Sequence, residues 1–295
     1  MSTAEPWTVG RLLTWTTDYL KKSGSESARL DAEVLLAEAR GCERIMLYTA
    51  YTEEVPEDVR NKFRALVKQR AEGWPVAYLV GRREFFSLMF EVTPDVLIPR
   101  PETEFVVTAT LDALKERSAD LGPATVADVG TGSGAIAVTV AKHAADVRVV
   151  AIDVSEAALA VARRNAERHY VADRISFLVG DLLSPAPADV KFAVIAANLP
   201  YIGTAEEGTV VDEVRKHEPH VALFAGEVGD ELIARLIPQA ADKLEPGGWL
   251  ILELSPMLAD QVAQQIQADG RFEPASITKD LAGLARVVKA KRLVG

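Results

Sequence analysis

The alternation between apolar runs and amphipathic segments in the second part of the chain limits the possible folds most strongly. Apolar runs of five or six residues are expected to be strands, and the segments with apolar residues at helical spacing are expected to be helices. The expected strands are 125–129, 148–153, 175–179, 192–197 and 249–254, and the expected helices are 102–115, 135–144, 155–169, 230–243 and 257–269. This order predicts an open, mostly parallel sheet with helices on both faces, in which ligands bind beyond the carboxyl ends of the strands.

The first part of the chain has a different pattern. Apolar residues recur at helical spacing in 9–22, 27–40 and 56–72, so the first ~75 residues are expected to be all-helical. Two short apolar runs between Arg83 and Val96 predict a β-hairpin that bridges two domains. The predicted organisation is therefore a helical domain at 1–78, a hairpin linker at 79–96 and an α/β domain at 97–295.

Composition excludes several classes of protein. The chain has 295 residues and a net charge of −10, so a general affinity for the phosphates of nucleic acid is not expected. The basic run 289–292 is predicted to be a solvated last strand or tail. With Cys42 as the only cysteine and no metal-like histidine spacing, neither a disulfide framework nor a metal site is expected. The N-terminus has no leader pattern and no run reaches the ~20 apolar residues of a membrane span, which predicts a cytoplasmic protein without membrane contact.

A glycine-rich turn follows the first expected strand. Its sequence is Gly130-Thr131-Gly132-Ser133-Gly134, and glycines at such a turn allow a ligand to approach the backbone closely. The spacing lacks the third glycine of the dinucleotide fingerprint, which disfavours a nicotinamide dehydrogenase. A simple strand-to-helix turn remains possible for this motif alone. A nucleoside without a diphosphate fits the spacing better.

Acidic residues follow the next two expected strands. Asp153 can accept both hydroxyls of a ribose, although it could instead cap the following helix, a role that Ser155 could also fill. Asp181 and Leu182 follow the third strand and suit the exocyclic amine and the apolar face of an adenine. Together with the glycine turn, these residues favour a nucleoside site at this edge of the sheet.

The fourth expected strand runs into Asn198-Leu199-Pro200-Tyr201. A planar amide or amine nitrogen is a weak nucleophile because its lone pair is delocalised, so methylating it requires acceptors for its N–H bonds. The Asn198 side-chain oxygen and the Leu199 carbonyl can be these acceptors, while Pro200 stiffens the turn and Tyr201 supplies a flat surface. An ordinary Asn-x-Pro turn is the alternative interpretation. The position at a strand end favours a catalytic role.

With these motifs the chain resembles the class I methyltransferases, and more closely the PrmC/HemK family of release factor glutamine N5-methyltransferases. The resemblance runs over nearly the whole chain and includes three further stretches, which are 81–87, 97–104 and 217–219. It implies a Rossmann-like sheet, S-adenosylmethionine as the cofactor, no metal, and a helical domain that helps to dock class I peptide chain release factors. The family usually has proline where this chain has Leu199, and a backbone carbonyl survives that change.

The resemblance also implies residue roles. It implies that Gly130 to Gly134, Asp153 and Leu182 contact the cofactor, beside Asp181 and Asn198. It implies that Asn198 to Tyr201 hold the glutamine of a Gly-Gly-Gln loop. Arg100, Pro101 and Thr103 are predicted to shape a lid over the cofactor, or else to form a stiff linker.

Two other functions are compatible with parts of the sequence. An adenine-N6 or other exocyclic-amine methyltransferase of nucleic acid could use a similar Asn-x-Pro-Tyr motif, although the acidic charge disfavours it. A different protein glutamine could also be the substrate. A non-catalytic module that binds nucleosides is the alternative from another class, and the presence of both Asn198 and Tyr201 makes it the weaker hypothesis.

Overall fold

A computed structural model describes residues 6–294 and divides the chain into two compact units. The first unit runs to Gly81 and includes Val211–His217, and the second comprises Arg82–Val210 and the residues from Glu218 onward. The domain limits expected at residues 78 and 96 stay predictions.

Helices make up the start of the chain, and strands alternate with helices after it. The helices are α1 (Val9–Lys22), α2 (Ala28–Arg40), α3 (Met46–Thr49), α4 (Glu57–Ala71), α5 (Val76–Val80), α6 (Glu104–Glu116), α7 (Ala135–His143), α8 (Glu156–Arg168), α9 (Asp212–His217), α10 (Glu231–Lys243) and α11 (Ala259–Asp269). The strands are β1 (Arg82–Phe85), β2 (Leu88–Glu91), β3 (Thr125–Val129), β4 (Arg148–Asp153), β5 (Ile175–Val179), β6 (Phe192–Ala197), β7 (Leu244–Glu253), β8 (Ser276–Lys279) and β9 (Ala285–Lys291).

The first unit consists of helices, as predicted. Helix α1 begins after Thr8, whose hydroxyl accepts a hydrogen bond from the amide of Arg11, and helix α2 ends at Gly41 in the left-handed conformation. Buried leucines of both helices, among them Leu13 and Leu35, form the core of this unit. Their burial supplies the hydrophobic free energy that holds the helices together.

The second unit is built on a seven-stranded sheet with the strand order β5-β4-β3-β6-β7-β9-β8. The five strands from β5 to β7 are parallel, and β9 and β8 pair antiparallel. All six residues of β6 are buried, which explains its uninterrupted apolar sequence. The strand order reverses between β3 and β6, so their carboxyl ends flank the crevice where open α/β sheets bind ligands.

Most of the predicted elements are confirmed, and the differences concern the ends of elements. Strands β3 to β6 have the expected limits, while β7 begins earlier than expected, at Leu244. The helix expected from residue 102 starts as a 3₁₀ turn, Pro101–Thr103, and continues as α6. A proline at the first position of that turn is compatible with its missing N–H.

The basic run 289–292 ends the last strand of the chain, which confirms one of the two predicted alternatives, but that strand is not solvated throughout. Strand β9 is an interior strand, paired with β7 on one side and β8 on the other, and Ala290 is buried. The ammonium groups of Lys289 and Lys291 lie 5.1 and 5.6 Å from the centre of the Trp249 ring. Long lysine stems can cover apolar surface and keep the charge near an aromatic face, so an interior strand can carry lysines at these positions.

The hairpin β1–β2 is confirmed and belongs to the second unit. Phe86 and Ser87 form its two-residue turn with φ of 49° and 59°, the backbone that a tight hairpin turn requires. Phe85 and Phe90 are buried in the core of the unit. Within residues 6–294, no helix combines the length and apolar character needed to cross a membrane.

Candidate active site

The glycine-rich turn follows β3 directly and is fixed by its backbone. The amides of Gly130 and Thr131 donate to the carbonyl of Ile152 at 2.8 and 3.0 Å. Gly130 has φ of 75°, and a Cβ added there would lie 3.1 Å from Cδ2 of Leu199. The turn therefore requires glycine both for its left-handed backbone and for the close approach of the loop that follows β6.

Asp128 stabilises this turn through hydrogen bonds. It is fully buried, and its Oδ2 accepts hydrogen bonds from the Thr131 hydroxyl at 2.6 Å and from the amide of Ala137 at 3.0 Å. Burial raises the pKa of Asp128 to about 7, while the two hydrogen bonds oppose the rise. Asp128 thus joins the turn to the first turn of α7.

Asn165 of α8 holds the turn from the other side. Its amide nitrogen donates to the carbonyls of Ser133 at 2.9 Å and Glu91 at 3.0 Å, and its oxygen accepts from the amide of Glu91 at 2.7 Å. Sequence analysis did not identify this residue, because an asparagine inside an amphipathic helix carries no local signal for a distant contact.

Asp153 lies at the end of β4 and faces the same turn. Its two oxygens accept hydrogen bonds from the amides of Gly132 and Ser155, each at 2.9 Å. The hydroxyl of Ser155 accepts from the amide of Ala158 and caps α8, so the capping role belongs to Ser155. Burial raises the pKa of Asp153, and hydrogen bonds from the backbone counter that effect.

Asp181 and Leu182 follow β5 at the same edge. The Asp181 side chain is half-exposed and forms an ion pair with Arg235. Leu182 is buried and has φ of 52°, a left-handed conformation that is unusual for leucine. Both residues line the same cavity.

A cavity of about 250 Å³ collects these residues at the crevice between β3 and β6. Among the lining residues are nearly all the predicted cofactor and lid residues, namely Gly130, Thr131, Gly132, Ser133, Asp153, Asp181, Leu182, Asn198, Arg100 and Thr103. Gly134, Pro101 and Tyr201 are not among them. Open space lies above Gly132, Asp153 offers a carboxylate to hydroxyl groups, and Leu182 offers an apolar side chain. These three features fit S-adenosylmethionine.

The loop Asn198-Leu199-Pro200-Tyr201 begins where β6 ends. The amide nitrogen of Asn198 donates to the Thr103 hydroxyl at 3.0 Å. Within residues 6–294, neither the Asn198 side-chain oxygen nor the Leu199 carbonyl accepts a hydrogen bond. Two acceptors of the kind that an amide N–H needs are thus left open beside the cavity.

Leu199 and Tyr201 pack inward. The Leu199 side chain is buried against the glycine turn and fills the space next to Gly130. Burial raises the pKa of the Tyr201 hydroxyl to about 12, and the charge of Glu253 adds to the rise. Tyr201 consequently stays neutral at physiological pH and offers an aromatic surface.

The residue after Tyr201 forms backbone hydrogen bonds with a neighbouring extended segment. Ile202 donates to the carbonyl of Leu223 and accepts from the amide of Ala225, both at 3.1 Å. A Cβ added at Gly229 would lie 2.4 Å from the carbonyl oxygen of Tyr201. This close packing holds the loop on a rigid support.

The predicted lid residues lie in different environments. Arg100 forms an ion pair with the buried Glu218 at 2.5 Å, and Glu218 also accepts from the amide of Ile98. Thr103 is buried and contacts Asn198. His217 lies in the first unit, where its ring packs on Trp74 at a centroid distance of 4.4 Å.

Glu253 is a second residue that sequence analysis did not identify. It is 2% exposed at the end of β7, and its Oε2 has no hydrogen-bond partner within the described part of the chain. Burial raises its pKa to about 7, a hydrogen bond from Thr103 counters the rise, and the charge of Glu102 adds to it. A charged residue inside the apolar run Leu250-Ile251-Leu252-Glu253-Leu254 was the signal that could have revealed it.

Two family patterns match the chain. The PrmC N-terminal domain matches residues 11–81, and a methyltransferase domain matches residues 126–217. The second match contains the glycine turn and the loop that follows β6.

Full-length relatives and a solved structure resemble the chain as well. The release factor glutamine methyltransferase of Rhodopirellula baltica is 47% identical over 287 residues, which are 97% of each chain. The release factor glutamine methyltransferase of Geobacter sulfurreducens is 39% identical over 96% of each chain. A methyltransferase from Pyrococcus furiosus is 20% identical, with a TM-score of 0.51 over 78% of this chain and 98% of that chain, and it supports the fold alone.

Proposed function

Because the chain belongs to the release factor glutamine methyltransferase family, we propose that it methylates the glutamine amide nitrogen of the Gly-Gly-Gln motif in class I peptide chain release factors. The methyl donor in this proposal is S-adenosylmethionine, held in the cavity between β3 and β6. The observation that carries the proposal is the pair of open acceptors, the Asn198 side-chain oxygen and the Leu199 carbonyl, beside that cavity.

In this proposal different residues of the cofactor site would contact different parts of S-adenosylmethionine. Asp153 would accept hydrogen bonds from the ribose hydroxyls, and Leu182 would cover the adenine face. The glycine turn would approach the ligand without side chains in the way. When bound, S-adenosylmethionine supplies an electrophilic methyl group on a sulfonium.

The substrate site would act by positioning. Asn198 and Leu199 would each accept one N–H of the glutamine amide and aim its lone pair at the methyl carbon. The sulfonium would supply the methyl group and keep the electrons of its bond to carbon, and the glutamine nitrogen would release one proton to water. Because positive charge grows on the nitrogen during transfer, both hydrogen bonds strengthen in the transition state.

Tyr201 would serve as a neutral wall of the substrate site. Its pKa of about 12 excludes it as a general base at physiological pH. Its ring offers a flat surface beside the loop, which restricts the orientation of a planar amide.

The helical first unit would help to dock the release factor. The match of residues 11–81 to the PrmC N-terminal domain supports this role. Methylation of adenine in nucleic acid, the alternative, is not favoured, since the relatives that cover 96–97% of the chain are release factor glutamine methyltransferases.

The test uses methyl-labelled S-adenosylmethionine with three substrates: a class I release factor, its variant with alanine in place of the motif glutamine, and an adenine-containing oligonucleotide. We expect label on the native release factor only. Equal labelling of the glutamine and alanine forms, or label on the oligonucleotide alone, would overturn the proposal.

A further inference from the structure

A groove lies between α1 and α4 in the first unit. It has a volume of about 580 Å³, and the buried apolar side chains of Leu12, Phe63 and Val67 are among its lining. The groove residues of α4 run from Glu57 to Lys68, which is about 16 Å along the helix axis at 1.5 Å per residue. The groove therefore has room along its length for about three turns of a bound helix.

The α1 wall of the groove is aromatic. Trp15 and Tyr19 are four residues apart on α1, and their rings stack with a centroid distance of 5.2 Å and an interplanar angle of 10°. Trp15 is 54% exposed and Tyr19 is 38% exposed. Exposed aromatic rings beside apolar side chains are typical of binding surfaces, in which tryptophan and tyrosine contribute much of the binding energy.

The α4 wall of the groove is cationic. Arg60, Arg64 and Lys68 follow one another at intervals of four residues, which places them on one face of the helix. Glu57 is the one acidic residue among the described residues that line the groove. This excess of positive charge contrasts with the net charge of −10 of the whole chain.

The charges of this wall are weakly neutralised by the protein itself. Within residues 6–294, the Arg60 side chain has no hydrogen-bond or ion-pair partner. The Arg64 guanidinium donates to the neutral Asn61 at 3.1 Å, and the Lys68 ammonium lies 4.0 Å from the Glu72 carboxylate. The cationic wall can therefore pair with carboxylates of another molecule.

We propose that the groove between α1 and α4 binds an acidic amphipathic helix of the release factor. Carboxylates of that helix pair with Arg60, Arg64 and Lys68, and its apolar side chains pack on Trp15 and Tyr19. Because the two walls differ in chemistry, the bound segment carries its acidic and apolar side chains on different faces, as an amphipathic helix does. The proposal rests on the proposed function, which makes a release factor the protein substrate.

Single-stranded nucleic acid is the competing occupant, because such sites also combine aromatic rings with cations. The groove favours a protein segment for two reasons. Its three cations neutralise few of the phosphates of a strand, and Glu57 repels phosphates from within the groove. The net charge of −10 adds repulsion to a ligand that carries one charge on every nucleotide.

The groove should act on the affinity for the release factor and not on the chemical step. It shares no lining residue with the cavity between β3 and β6. Substitutions in the groove should therefore raise the KM for the release factor and leave kcat and the calorimetric affinity for S-adenosylmethionine unchanged. A loss of cofactor affinity in the groove variants would overturn the proposal.

The first test compares Arg64→Glu with Lys62→Glu. Both substitutions reverse a positive charge at an exposed position of α4, but Arg64 lines the groove and Lys62 does not. The KM of R64E for the release factor should be at least about fivefold above that of K62E, because the glutamate removes an attraction and adds a repulsion. High salt should reduce this difference by screening the charges. Equal KM values at low salt, or a difference that salt leaves unchanged, would overturn the proposal.

The second test removes the aromatic wall. Trp15→Ala should raise the KM for the release factor at least about fivefold, because an exposed tryptophan in a binding surface is a frequent hot spot. Tyr170→Ala is the control, since Tyr170 is 87% exposed and lies in the second unit. A KM of W15A equal to that of Y170A would overturn the proposal.

Two other occupants would give results of their own. Competition of a single-stranded oligonucleotide with the release factor in the wild type, absent in R64E, would make nucleic acid the occupant. A wild-type dimer and an R64E monomer in light scattering would make a second copy of this chain the occupant. Either result would overturn the proposal.

The proposal and the proposed function fail in different ways. If the wild type transfers no label to the release factor glutamine, the proposed function is wrong. If the wild type labels the glutamine and the KM of R64E matches that of K62E, the function holds and the role of the groove alone is wrong.

Discussion

Replacing the buried Asn165 with alanine should lower the free energy of unfolding more than replacing an exposed asparagine with alanine. Asn165 is fully buried and makes three hydrogen bonds, two to the carbonyls of Ser133 and Glu91 and one from the Glu91 amide. N165A removes all three partners and leaves buried backbone groups unsatisfied. At about 1 kcal/mol net for each bond, the free energy of unfolding should fall by about 3 kcal/mol.

Urea unfolding followed by circular dichroism measures this loss, and hydrogen exchange locates it. The Glu91 amide should lose protection in N165A, since its acceptor is the Asn165 oxygen. Asn61→Ala is the matched control, because exposed Asn61 only accepts from the exposed Arg64, and it should change stability by less than about 0.5 kcal/mol. If N165A and N61A unfold at the same urea concentration, Asn165 does not hold the glycine turn to the hairpin.

Three further substitutions test the site. Asn198→Ala should keep cofactor affinity in calorimetry and lower kcat by about 100-fold, the scale for one transition-state hydrogen bond, and unchanged turnover would mean that the motif is only a turn. For Asp128, burial raises the folded pKa to about 7, above the unfolded value, so the wild-type free energy of unfolding should decrease as pH rises from about 4 to 7. Because Glu253 has a similarly raised pKa, Asp128→Asn should show a smaller decrease in urea unfolding, and a slope equal to that of the wild type would contradict the prediction. Gly130→Ala should lower cofactor affinity because its Cβ would meet Leu199, whereas Gly24→Ala, with φ of 92° and open space, should bear only the backbone strain and bind normally; equal affinities would exclude the contact.

Local patterns were sufficient for the main elements. Strands such as 125–129 and 192–197 were predicted with their observed limits, because a strand buried on both faces is mostly apolar. The interior position of β9 was not predicted, because Lys289 and Lys291 look solvated until Trp249 of β7 is placed beside them. A strand whose partner is distant in sequence has no local signal for that partner.

The loop that follows β6 could also be predicted only in part from the sequence. Its residue types, with acceptors at Asn198 and Leu199, could be interpreted from the sequence because they depend on the chemistry of an amide nitrogen. The sequence could not assign the partners of Asn198 and Asp153, since both depend on which strands are neighbours. The structure gave Asp153 the amide of Gly132 and left the helix cap to Ser155.

The sequence by itself determined the class of sheet, and it predicted which edge carries the ligand site and the chemistry of that edge, because strand burial and strand-end residues are encoded over a few consecutive positions. Only the tertiary structure decided that the Asn198 amide nitrogen donates to the Thr103 hydroxyl and that Asn165 joins the hairpin to the glycine turn. These contacts join residues that are far apart in the chain. Their hydrogen bonds arise only after the packing of the sheet has excluded water from them.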